Sequence, residues 1–245
     1  MAILDVKNLS KKYQKIEAVH DVSFEVGEGE IVGLLGPNGA GKTTIISMIL
    51  GILEPSGGSI EILDRTMATD AEEIGRKINF SAVYTHVPAN LSVQQNLKIF
   101  GMLYDVRDLP GRIESLLAEF DLERFRHTKA GLLSSGEMAR LNLAKSLINE
   151  PKLLLLDEPT ASLDPSIASD VREKIRKYTE RTGAAVVWTS HNMKEIENMC
   201  TRVLFLSRGR ILLTGDPRTL PRMNGKSDLE ELFIAVAREP LSINN

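Results

Sequence analysis

The chain has a single cysteine, Cys200, so no internal disulfide staples the fold, and a chain with so little cysteine fits a reducing compartment. Cys200 falls at the helical spacing set by Met193, Ile196 and Met199 and reads as core packing. Long apolar runs are also missing. Nothing approaches the ~20 consecutive apolar residues that cross a bilayer, and residues 1–5 lack the basic start and apolar centre of a secretory signal. The expectation is a cytoplasmic protein. There is no excess of positive charge either: 30 Lys and Arg against 33 Asp and Glu leave a formal net charge of −3. That balance argues against non-specific nucleic-acid binding as the main activity, which needs a dominant positive field. With 42% hydrophobic and 26% charged residues, the 245-residue chain excludes disordered and fibrous classes and has the length for a full-sized core.

What is present is organised around one loop. Gly36, Pro37, Asn38, Gly39, Ala40, Gly41, Lys42, Thr43 and Thr44 sit between an apolar run at 31–35 and a helical pattern at 44–50. Three glycines let the backbone turn tightly and aim several N–H groups inward with no Cβ in the way. The helix that follows brings its free N-terminal amides and positive dipole end to the same point. Lys42 can then reach the β and γ phosphates of a nucleotide, and the Thr43 hydroxyl stands where it can ligate magnesium. Strand, loop, helix is the order this chemistry requires, because ligands of open α/β sheets bind outside the carboxyl ends of the strands.

The flanking pattern is that of an α/β fold. Alternation at Val22, Phe24 and Val26 predicts a strand in a small antiparallel sheet ahead of the main one. Tyr13 lies just before it, where its ring can stack on a nucleobase or simply face solvent. The 44–50 helix is apolar around nearly its whole circumference and must be buried, with Gly51 as its stop. A turn at 55–59 precedes a short strand at 60–63, and a further apolar stretch runs 78–83. From Ser92 to about Pro151 the periodicity becomes helical, which predicts a helical insertion. Within it, Ser134 and Glu137 have the spacing of a capping box, so residues 133–137 read on spacing alone as a well-capped helix start.

Residues 153–156 are four consecutive leucines, the mark of a strand buried on both faces. Asp157 and Glu158 close it. Two carboxylates are costly there unless something positive meets them, and nucleotide-bound magnesium is the natural counter-charge. Asp157 would hold the ion, directly or through water, and Glu158 would polarise an attacking water. Asp164 and Pro165 start a helix through Tyr178, with Asp170 and Lys174 spaced for an ion pair. A buried strand at 184–189 ends at Ser190 and His191, where the histidine either faces the ligand or caps the turn. Strands at 203–206 and 211–213 form a hairpin around Arg208 and Gly209, and a helical tail lies near 229–237.

Taken together, these motifs resemble the ATPase subunit of an ATP-binding-cassette (ABC) transporter over almost the whole chain. Residues 36–44 match the family's phosphate loop, 153–158 its magnesium strand and catalytic glutamate, 162–164 most of its dimer-contact loop, and His191 its switch histidine. Leu133, Ser134, Ser135, Gly136 and Glu137 stand where the family signature, commonly Leu-Ser-Gly-Gly-Gln, belongs. The resemblance implies an ABC ATPase fold, with residues 1–220 as one nucleotide-binding domain carrying the helical insertion at about 90–150, and 221–245 as a short tail. It implies ATP and Mg2+, and a second ATPase subunit, a homodimer by expectation, pairing head to tail. Ser134 and the Gly136 amide of one subunit would then touch the γ-phosphate held by Lys42 of the other. Glu158 would activate water, His191 would sense the phosphate, and Tyr13 would stack on adenine. A separately encoded membrane permease completes the expected assembly, placing this chain on the inner face of the cell membrane.

Three positions depart from the family pattern. Ser135 replaces the first signature glycine and Glu137 the final glutamine, which predicts weakened or retuned closure on ATP. Counting back from Ser92, the usual magnesium-contacting glutamine falls at Val83, which cannot ligate a metal. The ending Asp228, Leu229, Glu230, Glu231, Leu232, Phe233 resembles the subfamily that serves export permeases. The alternatives are a soluble cassette acting on ribosomes or DNA, against which the lack of a second cassette or basic insertion speaks, and a degenerate partner in a heterodimer.

Overall fold

The computed structural model describes residues 1–14, 16–82, 87–161 and 163–238. The chain opens with β1 (Ala2–Tyr13) and β2 (Ile16–Gly27), then β3 (Ile31–Leu35), α1 (Lys42–Ile49), β4 (Gly57–Ile62), β5 (Arg65–Thr66) and α2 (Met67–Gly75). It continues through β6 (Ile78–Ala82), α3 (Val93–Leu103), α4 (Leu109–Glu119), α5 (Ser135–Ser146), β7 (Leu153–Asp157) and α6 (Pro165–Thr182). The last part holds β8 (Ala185–Thr189), α7 (Met193–Met199), β9 (Arg202–Ser207), β10 (Arg210–Gly215), α8 (Leu220–Met223) and α9 (Leu229–Arg238).

The expected antiparallel sheet is present, with strand order β2-β1-β4-β5. The second sheet has the order β10-β9-β3-β8-β7-β6, in which β9, β3, β8, β7 and β6 run parallel and β10 returns antiparallel from β9. The leucines of β7 show how the two layers are built. Leu153 and Leu155 enter a core shared with α1 and the antiparallel sheet, while Leu154 and Leu156 enter a second core with α5 and α6. A period of two on a strand covered on both faces produces this split. Helix α1 lies between the two sheets, which is why Ile45, Ile46, Met48 and Ile49 are all buried. Cys200 packs on Gly33 of β3, where a Cβ would stand 3.1 Å from its Sγ, so the thiol is core filling as expected. Burial pushes its pKa far above the ordinary thiol value.

From α3 to α5 the chain is largely helical, as predicted: Leu97, Ile113, Leu116, Leu117 and Phe120 are buried at helical spacing and Phe100 packs partly buried against them, but Leu103, at the same spacing, ends α3 exposed to solvent. A capping box between Ser92 and Gln95 starts α3, and buried Asn96 donates to the carbonyls of Pro88, Leu91 and Ser92 to pin its entry. Several boundaries differ from the expectation: α1 begins at Lys42, β4 begins at Gly57 inside the expected turn, and β9 and β10 extend beyond 203–206 and 211–213. Helix α6 runs one turn past Tyr178 to Thr182, because Tyr178 and Thr179 are buried and the Tyr178 hydroxyl donates to Pro151 O at 2.8 Å. Gly183, at φ 68°, supplies the stop. Strand β4 ends at Ile62, because Leu63 (φ 55°) and Asp64 (φ 60°) form a left-handed turn into β5. The Asp170–Lys174 pair is formed at 3.5 Å, and α9 buries Leu229, Leu232 and Val236 against the second core.

Candidate active site

The loop after β3 takes its shape from two glycines. A Cβ on Gly36 would stand 2.3 Å from the Leu206 carbonyl oxygen on β9, so the chain leaves the strand there only without a side chain. Gly41 has φ 109°, and a Cβ on it would lie 2.8 Å from the Ala18 carbonyl oxygen. Ala40 N donates to Pro37 O at 3.1 Å and Ala40 O accepts from Gly209 N at 2.9 Å, so the β9–β10 turn braces the loop. Ile45 N donates to Gly41 O at 2.9 Å to begin α1, whose earlier amides have no intrahelical acceptor. Lys42 Nζ donates to Gly36 O at 2.6 Å and Pro37 O at 3.3 Å, which folds its ammonium over the loop. Burial lowers the Lys42 pKa, and the Glu158 and Asp157 carboxylates oppose that shift.

Strands β7 and β8 bring the acids to the same place. Asp157 lies opposite Thr189 in the parallel register. Buried Thr189 donates through Oγ1 to Asp157 Oδ1 at 2.6 Å and accepts from Glu158 N at 3.0 Å, while Thr189 O accepts from the same amide at 3.1 Å. Glu158 itself has φ 53°, a left-handed backbone that costs a non-glycine residue about 1–3 kcal/mol and persists only where the surroundings dictate it. Its Oε1 then lies 2.5 Å from Nε2 of His191, whose side chain is half exposed.

These groups share one cavity of about 540 Å³. Asn38, Gly39, Ala40, Gly41, Lys42, Thr43 and Thr44 line it together with Asp157, Glu158 and His191. The volume is that of an ordinary small-molecule site. A larger groove of about 1000 Å³, bordered by Arg65, Arg76 and Arg112, contains none of these residues.

The remaining predicted residues lie elsewhere. Tyr13 ends β1 with 46% of its surface exposed and the Lys11 ammonium 5.4 Å from its ring centre, and it does not line the cavity. Ser134 caps α5: its Oγ accepts from Glu137 N at 3.4 Å, and its own N–H donates to Glu137 Oε2 at 2.8 Å. Ser134 and Ser135 are exposed, whereas Gly136 is buried beneath Ile167, whose Cδ1 a Cβ would meet at 2.3 Å. Val83, matched to the family glutamine, and Ser162 of the dimer-contact loop lie outside the described residues. Sequence reasoning missed Thr189, which fixes both Asp157 and Glu158. Its signal was a hydroxyl closing the otherwise apolar run 184–188.

Residues 19–161 match the family model described as ABC transporter. The chain is 35% identical over 235 residues to a Nod factor export ATP-binding protein I from Burkholderia thailandensis, covering 95% of this chain and 77% of that protein. It is 38% identical over 219 residues to the protein of that name from Rhizobium johnstonii, covering 89% and 70% respectively. Among solved structures, an ATP-binding subunit of an ABC transporter superposes with a TM-score of 0.86 at 29% identity, covering 96% of this chain and 100% of that one. A dimeric ATP-binding cassette in a post-hydrolysis state, bound to ADP and Pi, superposes with a TM-score of 0.77 at 26% identity, covering 87% and 98%.

Proposed function

The chain belongs to the ABC transporter family, and on that premise we propose that it powers an exporter as one of two identical copies that close on ATP beside a membrane permease. ABC ATP-binding subunits bind and hydrolyse ATP, dimerise and work with a permease; this chain is accordingly an ATPase. Assignment to export rests on the relatives named for Nod factor export. The observation that carries the site assignment is the single cavity joining Lys42 and Thr43 to Asp157, Glu158 and His191.

In this reading, residues 36–44 hold the triphosphate through backbone amides, and Lys42 exchanges its two carbonyl contacts for charge-assisted bonds to phosphate oxygens. The Thr43 hydroxyl and the Asp157 carboxylate form an all-oxygen donor set suited to a hard cation, and would hold magnesium, which neutralises phosphate charge. Glu158 takes a proton from water as the water oxygen bonds to the γ-phosphorus. The bond to the β,γ-bridging oxygen breaks with its electron pair leaving on ADP. His191 orients Glu158 and contacts the γ-phosphate.

Ser134, Ser135, Gly136 and Glu137 act in trans. Ser134 and Ser135 are exposed at the N-terminus of the twelve-residue helix α5 and stand outside their own cavity, which supports delivery of that helix end to a nucleotide on the second copy. Tyr13 stacks on adenine; it pairs with Ile16 at the end of the β1–β2 hairpin, close to the cavity-lining Ala18. Residues 1–220 serve as one nucleotide-binding domain with the helical insertion at about 90–150, and 221–245 form a short tail whose helix α9 packs beside it, as the buried Leu229, Leu232 and Val236 support. No helix among the described residues is long and apolar enough to cross a membrane. We place the chain peripherally on the cytoplasmic face, held there by its permease. Purification from solubilised membranes tests the reading: recovery with an integral membrane permease is expected, and recovery with ribosomes or DNA and no membrane protein overturns it.

A further inference from the structure

We propose that Glu195 is a positioning residue that holds Glu158 and His191 in register for hydrolysis, an inference that rests on reading those two as the hydrolytic pair. Glu195 lies in the first turn of α7 with only 1% of its side chain exposed. A carboxylate that deep is costly unless donors surround it. Three do. Thr160 Oγ1 donates to Oε1 at 2.5 Å, Arg172 Nη1 donates to the same oxygen at 3.2 Å, and Ser190 Oγ donates to Oε2 at 2.5 Å.

The identity of the two hydroxyl donors gives the carboxylate its role. Thr160 stands two residues after Glu158, in a turn where Ala161 N donates to Glu158 O at 3.1 Å. Ser190 immediately precedes His191, and its Oγ also accepts from Asn192 N at 3.1 Å, which fixes the turn that carries the imidazole. One buried carboxylate therefore clamps the loop after β7 to the loop after β8. The Glu158–His191 contact at 2.5 Å closes the ring from the other side. A carboxylate kept only to pair with Arg172 needs neither hydroxyl, yet both donate to it, one to each oxygen. The left-handed backbone at Glu158 is the kind of local strain that such a clamp maintains.

Glu195 does not line the cavity, and its side chain hydrogen-bonds to Thr160, Arg172 and Ser190 and not to the phosphate loop, so its loss should act on turnover and spare nucleotide binding. In the full-length protein, Glu195→Ala is expected to lower kcat by about tenfold or more, because small misplacements of reacting groups are that costly. Nucleotide Kd should stay within about twofold of the parent, since phosphate binding depends on Lys42 and the loop amides. Glu195→Gln has the same shape, and the Thr160 and Ser190 hydroxyls can reorient to it, so it should recover most of the lost rate. A His191→Ala, Glu195→Ala double variant should be hardly slower than His191→Ala alone, because residues acting as a unit are not additive. If Glu195→Ala does not fold, Thr160→Val and Ser190→Ala carry the same test, each lowering kcat and sparing Kd.

Parental kcat in a folded Glu195→Ala variant, a parallel loss of kcat and affinity, or full additivity with His191→Ala would each overturn the proposal alone. Absence of ATP turnover in the parent would overturn the hydrolytic reading and the proposal together.

Discussion

Glu158 Oε1 and His191 Nε2 meet at 2.5 Å across the ends of two neighbouring parallel strands, and Thr189 on the second strand holds the backbone of the first. The acid is thus fixed on both sides before any substrate arrives. Glu158→Gln keeps the shape but cannot accept a proton, so ATP turnover should fall by about 10²–10⁴-fold, the range for loss of a general base. Steady-state phosphate release checks this, with thermal melting to confirm an intact fold. Turnover at the parental rate would remove Glu158 from that role.

Lys42→Ala should weaken ATP binding by about ten- to a hundredfold, since a hydrogen bond to a charged group contributes about 1.5–3 kcal/mol. Its melting temperature should not fall, because the substitution also removes a partly buried ammonium that its surroundings hold at a lowered pKa. Calorimetric titration with ATP measures the first effect. Unchanged affinity would show that the triphosphate binds elsewhere.

Ser134 has a cap in hand and a partner-facing role in prospect, and two substitutions separate them. Ser134→Ala loses the N-cap and should cost about 1 kcal/mol of stability. Ser134→Asp keeps a good cap and should melt like the parent, yet set a negative charge where a phosphate is to dock. ATP-dependent association should therefore fail in the Asp variant while its fold persists. Normal association by the Asp variant would leave Ser134 with capping alone.

Lys145 is buried on α5 with its ammonium 5.2 Å from the Phe100 ring centre, and no carboxylate pairs with it among the described residues. Burial lowers its pKa below the ordinary 10.5. Between the lowered folded value and the ordinary unfolded one, the unfolded chain binds more protons, so this group's contribution to stability rises with pH through that window. Lys145→Met should raise the melting temperature by about 2–4 °C at neutral pH, the shift for roughly 1 kcal/mol in a domain of this size, and by less at alkaline pH. A gain independent of pH would contradict the sign.

Where chemistry demands a fixed order of residues, the sequence was legible. Residues 36–44, the leucines of β7 and the hydroxyl–glutamate spacing at 134–137 each imply a local structure, and the structure contains all three. Strand β1 was hidden because its pairing with β2 shifts register between Val6 and Leu9, with Asn8 at φ 49°, which breaks the alternation a strand normally displays. Most of β2 escaped for the same reason, since Asp21 at φ 48° interrupts it before the clean alternation at Val22, Phe24 and Val26. Glu195 could not be found by pattern at all. It reads as a polar position on a short helix, and its burial arises from Thr160, Arg172 and Ser190, which meet only in three dimensions.

In the proposed dimer, one copy's phosphate loop and another copy's Ser134 close on the same ATP. Sedimentation velocity of Glu158→Gln with and without ATP and magnesium tests it most directly, because that variant should bind ATP and be unable to discharge it. A monomer is expected without nucleotide and a stable dimer with it, reverting to monomer when Ser134→Asp is added. A Glu158→Gln protein that binds ATP with full affinity and stays monomeric at every nucleotide concentration would contradict it.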